Sequence, residues 1–208
     1  MTARPNRRRF LFLSAAAGLA GCGNIPSGPN ATVEAATRAA YAHDGPPALT
    51  LYTMISNRSN AGAHTSLMIN ASQRVVFDPA GSVRFAAVPE INDVLYGITP
   101  PLAEAFASAH ARVTYHVRIQ TLEVPADVAE KALQLAQQSG PVSKGGCTSS
   151  TVGILRQLQG FEGLKPTMFP NKLAEQFARY PLVEDRRLFE DDEDDKAIAI
   201  ARFEGRAP

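Results

Sequence analysis

The spacing of apolar residues changes along the chain, and the change separates two kinds of element. From Leu49 to Val88 they fall in short runs rich in β-branched and aromatic residues: Leu49–Ser56 (LTLYTMIS), His64–Asn70 (HTSLMIN), Arg74–Asp78 (RVVFD) and Ser82–Val88. Turn chemistry separates the runs, at Asn57–Ala63, Ala71–Gln73 and Pro79-Ala80-Gly81. Short runs bounded in this way predict a meander of antiparallel strands. Helical spacing follows. Leu102, Ala105, Phe106 and Ala109 share one face of a helix opened by Pro100-Pro101. Pro125–Gln138 turns Val128, Ala132, Leu135 and Ala136 inward, with Gly140 closing the helix. Val152, Leu155 and Leu158 form a stripe after Cys147, and a last helix is predicted over Asn171–Tyr180. Between these helices Thr114–Val124 alternates, with Tyr115, Val117 and Ile119 set against His116, Arg118 and Gln120. It reads as a strand with its polar side toward solvent. The mixture predicts an α+β domain in which helices pack on an antiparallel β-sheet.

The N-terminus changes the compartment. Arg4, Arg7, Arg8 and Arg9 precede an apolar stretch from Phe10 to Leu19, too short to span a bilayer but suited to a signal peptide. Leu19-Ala20-Gly21-Cys22 resembles a bacterial lipobox, which implies cleavage before Cys22 and a diacylglycerol thioether on its sulfur. Arg7-Arg8-Arg9-Phe10-Leu11 also resembles a twin-arginine export motif. The expected organisation is a signal peptide over 1–21, a lipidated cysteine and tether over 22–47, and a folded domain over 48–208. The tether holds Pro26, Gly28, Pro29 and Gly45-Pro46-Pro47 around one weakly helical, Ala-rich stretch. Gly23 stands where inner-membrane lipoproteins carry aspartate, which favours the outer membrane in a Gram-negative cell.

Processing alters the charge balance. Loss of four arginines leaves 17 bases against 20 acids, a net charge near −3. No basic surface that would attract nucleic acid is left. The expected partner is a membrane, reached through the lipid anchor. The acidic run Glu190–Asp195 reads as a solvated loop or helix start.

Cys147 then stands out as the second of only two cysteines. Exported proteins usually pair their cysteines, and this one opens a helix in Gly145-Gly146-Cys147-Thr148-Ser149-Ser150. The free N–H groups and positive dipole end of a helix N-terminus stabilise a thiolate and can hold an oxyanion. The alternative is a buried cysteine packing as a small hydrophobe. A thiol nucleophile needs a base, and four histidines are present. His43 falls in the tether, His110 on the expected polar side of its helix, and His116 on the solvent side of its strand. His64 opens a strand beside a glycine-containing loop. Asp78 ends the next strand, so a hairpin brings His64 and Asp78 to one end of the sheet, where the carboxylate can orient the imidazole. Tyr52 is a weak candidate for a second oxyanion donor. Cys147, His64 and His116 lack the spacing of a zinc site, and no cofactor is expected.

Taken in order, these residues resemble the circularly permuted NlpC-type papain-like cysteine hydrolases. His64-Thr65-Ser66-Leu67-Met68-Ile69 resembles the family's histidine strand. Val76-Phe77-Asp78-Pro79-Ala80-Gly81-Ser82-Val83 resembles its acidic strand, and Gly146-Cys147-Thr148-Ser149-Ser150-Thr151-Val152 its cysteine helix. The resemblance covers roughly residues 49–160, with a long insertion at 93–140. It implies a permuted papain-like fold and a catalytic Cys147, His64 and Asp78. The activity implied is hydrolysis or transfer of an acyl group from an amide or ester, in a peptidoglycan peptide or a lipid. The competing expectation is an inactive envelope lipoprotein that binds or assembles. The segment Glu90–Gly97 is a candidate lid over the thiol.

Overall fold

A computed structural model describes residues 30–81 and 83–205. The expected signal peptide and Cys22 lie outside the described residues. Helix α1 (Val33–Ala39) leads into strands β1 (Ala48–Ser56), β2 (Gly62–Asn70), β3 (Arg74–Phe77), β4 (Glu90–Ile91) and β5 (Val94–Tyr96). Then come α2 (Pro100–His110), β6 (Tyr115–Glu123), α3 (Ala126–Gln138), α4 (Cys147–Leu155), α5 (Pro170–Phe177), β7 (Glu184–Leu188) and α6 (Lys196–Glu204). The seven strands form one sheet in the order β4-β5-β3-β2-β1-β6-β7, antiparallel throughout. The α+β expectation holds.

Strand periodicity divides the core in two. Leu49, Leu51, Leu67, Ile69, Val75 and Phe77 point to one face and pack with residues of α1, α3, α4 and α5. Tyr52, Met54, Val76, Val117 and Ile119 point to the other, where α2 and α6 cover them. Both faces are therefore buried, and this explains the main departures from the sequence pattern. On β6 two residues of the polar side do not meet water: His116 and Gln120 are buried. His116 binds Asn57 through Nδ1 (2.7 Å) and stacks on Phe189. His110 is also buried, because it follows the core residue Phe106 by one helical turn and joins its face of α2.

Other segments behave differently from their composition. Val83 and Phe85 are buried, but residues 83–88 make no ladder and no strand. The candidate lid is built into the sheet, since Val94–Tyr96 pairs with β3. Of the insertion at 93–140, β6 lies beside the central β1, so the region belongs to the core of the domain. The described part of the expected tether joins the fold: Ala36 packs in the core, and Tyr41 O accepts the Arg74 N–H. The acidic run is the exposed loop and helix start expected, with specific pairings added. Asp192 bonds the buried Arg112 at 3.1 Å and Arg202 at 2.8 Å, and Asp195 caps α6. Among the described residues no helix is long and apolar enough to cross a membrane.

Leu67 sits on a central strand with no solvent exposure. Leu67→Ala should cost about 2–5 kcal/mol, seen as a lower urea midpoint at unchanged slope. Val183→Ala, at an exposed position, should stay within about 0.5 kcal/mol of the parent.

Candidate active site

The site forms where the sheet loses a strand. The last pair between β2 and β3 is Leu67↔Phe77, so the start of β2 runs on beyond its neighbour. Asp78 N–H turns away to Asp93 O (2.8 Å), and Pro79 has no N–H to offer. The edge of β2 is thus open at His64–Ser66. The N-terminus of α4 fills it from the face opposite His64. Thr148 Oγ1 lies 3.0 Å from Thr65 Oγ1, and the Thr65 backbone N–H donates to the Cys147 sulfur.

Local chain chemistry aims the thiol. Gly145 has φ of 80°, a left-handed conformation that a side chain would strain. Gly146 serves close approach, since a Cβ there would lie 2.8 Å from Val142 Cγ1 and 3.0 Å from Ser143 O. No side chain caps α4, so its first-turn N–H groups face the thiol end without that partner. A staple fixes this loop to the acid strand: Asp93 Oδ2 accepts from Val142 N (2.8 Å) and Ala80 N (3.2 Å). One buried carboxylate therefore ties the turn after Asp78 to the approach to Cys147.

His64, Ser66 and Asp78 share the other face of the strands. His64 Nε2 lies 2.6 Å from Asp78 Oδ1, and Ser66 Oγ donates to the same oxygen at 2.5 Å. A carboxylate only accepts, so Nε2 carries the proton and Nδ1 is left to exchange one with Cys147. Below the pair lies His110, its ring stacked on His64 at 5.9 Å between centroids. Its Nδ1 donates to Phe106 O at 2.9 Å.

The charges settle accordingly. Burial works against a charged His64, but the Asp78 charge and hydrogen bond, aided by Cys147, push its pKa up to about 10. Burial also opposes ionisation of Asp78, yet His64 and Ser66 hold its carboxyl far below the usual range. For Cys147, burial raises the pKa, while His64, Thr148 and the Thr65 N–H outweigh it and lower the thiol. Burial drives His110 down to about 3, which keeps it neutral. The imidazole, backed by a carboxylate, is held in its charged form and favours ionisation of the thiol beside it.

The structure thus brings Cys147, His64 and Asp78 together. It sends the Tyr52 hydroxyl elsewhere, to Met68 Sδ at 3.6 Å, and leaves His43 beside Tyr41. Ser66, His110 and Asp93 were missed. Ser66 had a signal, since it lies two residues after His64 on the same face and directly across from Asp78 in the ladder's continuation. His64, Asp78 and His110 also have possible ligand atoms within 4.8 Å of one another, unlike the set His64, His116 and Cys147. A metal there would compete with the His64–Asp78 hydrogen bond for the same atoms.

Stability should follow these pKa values. The raised His64 stabilises the fold fully below its unfolded value of about 6.5, and this is lost as pH rises toward about 10. The lowered Cys147 works oppositely, adding stability as pH rises to about 8.5. Urea titrations should therefore show a decline due to His64 that is partly offset by Cys147 up to about pH 8.5 and is steeper above it. In Cys147→Ala the steeper decline should begin near 6.5. Asp78 adds an acid limb, with stability lost as pH drops below about 4.

Comparison with protein-family models, curated proteins and solved structures finds no match to this chain, so the chemistry of the site rests on its own geometry.

Proposed function

We propose that this protein is an envelope-anchored thiol hydrolase or acyltransferase, held to a membrane by lipid on Cys22, with Cys147, His64 and Asp78 as its catalytic residues. On this reading it belongs with the permuted papain-like hydrolases. The observation that carries the proposal is the bond of His64 Nε2 to a buried Asp78, with the same imidazole hydrogen-bonded to a thiol of lowered pKa at a helix N-terminus.

The Cys147 thiolate attacks the acyl carbonyl carbon, forming a C–S bond while the carbonyl π pair moves to oxygen. The Cys147 N–H, at the first position of α4, donates to that oxyanion. Collapse breaks the bond to the leaving nitrogen or oxygen, which takes the proton from His64 Nδ1. The neutral imidazole then removes a proton from water or an acceptor hydroxyl, which attacks the thioester. Thiolate leaves, and the imidazolium is restored. Asp78 stays ionised throughout and keeps the ring in the required tautomer.

Iodoacetamide alkylation of Cys147 across pH tests the pair. The apparent thiol pKa should lie below the reference of about 8.5 and rise in His64→Ala, with the rate at pH 7 falling about tenfold or more. Asp78→Asn should act in the same direction, less strongly. An ordinary thiol unchanged by His64→Ala would remove the hydrolase and leave an envelope binding protein. With the pair established, esters and amides of increasing acyl length identify the substrate by burst kinetics.

A further inference from the structure

The end of the domain that holds the thiol also gathers exposed apolar and basic residues. Among the described residues seven large hydrophobic side chains are exposed, and four of them (Val113, Met168, Phe169 and Phe189) lie at this end. Met168 and Phe169 lead into α5 where Pro170 and Asn171 pack against Gly62, two residues before His64. Asn171 Nδ2 fixes this junction to Asn60 O at 2.7 Å. Val113 adjoins Thr114, whose carbonyl accepts from Asn57 at the end of β1, and Phe189 stacks on His116 nearby.

Charge is distributed unevenly around this rim. Arg58 stands exposed in the β1–β2 turn, Lys144 three residues before Cys147, and Lys172 in the first turn of α5. Lys172 pairs with Glu175 on its own helix at 2.9 Å, and in the tail Asp192 is engaged by Arg112 and Arg202 and Asp194 by Thr114. In a mature chain of net negative charge, Arg58 and Lys144 stay exposed on the loops that flank His64 and Cys147 at the end that carries the Met168–Phe169 lip.

The attachment point lies at the same end. Asn30, the first described residue, bonds Asn92 at the β4–β5 turn (2.8 Å), and the adjacent Asp93 bonds Asp78. Eight peptide units from Cys22 to Asn30 reach at most about 29 Å, at ~3.6 Å each. An anchor at Cys22 therefore holds this end toward the bilayer.

From these observations we propose that the thiol-bearing end of the domain docks on an anionic lipid surface. The Met168–Phe169 lip enters the headgroup region while Arg58, Lys144 and Lys172 meet lipid phosphates. The active site then opens at the interface, within reach of membrane-resident acyl groups. This orientation rests in part on the lipid anchor proposed above.

The chain has no tryptophan, so one introduced residue reports alone. Phe169→Trp and Val183→Trp, the latter at the opposite end of the sheet, are prepared in the lipidated mature protein. Each is reconstituted in phosphatidylglycerol–phosphatidylcholine vesicles with plain or brominated acyl chains. Phe169→Trp emission should shift to the blue and fall about twofold with brominated lipid, as burial of ~5–10 Å requires. Val183→Trp should be unaffected, and adding Lys144→Glu and Lys172→Glu should reduce the quenching at position 169. Absence of quenching at 169, or equal quenching at both positions, overturns the proposal. So does a blue shift that grows with protein concentration in lipid-free detergent, which assigns the lip to a second copy. The underlying reading fails by other signs. Mass spectrometry that finds Cys22 without acyl chains removes the anchor, and the same reporters added to preformed vesicles still test the lip. An ordinary Cys147 thiol removes the hydrolase without changing the quenching.

Discussion

An ionised carboxylate at Asp78, almost completely removed from water, constrains this site most strongly. A buried charge without partners costs far more than a domain's net stability. Here His64 and Ser66 supply the compensation on one oxygen. The requirement runs in both directions. Asp78 needs a proton donor on β2, and the donor that meets it becomes a charged imidazole facing the thiol. The histidine's state therefore follows from the burial of its neighbour.

Such a pair needs space that a continuous sheet would deny it. Because β3 stops at Phe77, the edge of β2 is free to meet the start of α4. The helix packs on one face of the sheet while His64 projects from the other, and they meet where no third strand separates them. Three groups then favour the thiolate, namely the imidazolium, the Thr65 N–H and the hydroxyl of Thr148, against the opposing effect of burial. Asp93 keeps the two contributing loops in register through two backbone hydrogen bonds.

Helices on both faces of the sheet account for much of the rest. A sheet with one wet face would have left His116 and Gln120 in solvent. With both faces covered, Arg112 needs the acids of the C-terminal run, and that run becomes a strap of specific contacts. His110 is drawn under His64 for the same reason.

The sequence by itself determined the strands β1, β2, β3 and β6, the helices α2 to α5, and the α+β class. Each of these is set by local periodicity and turn chemistry. It also singled out Cys147, His64 and Asp78, because a lone cysteine behind two glycines and a hairpin with a defined turn are local signals. It could not show that residues 83–88 form no ladder, that β7 pairs with β6, or that His110 and Asp93 support the site. Those features depend on which faces are covered and where a neighbouring strand ends. They are set by contacts between residues far apart in the chain, which no short window of sequence contains.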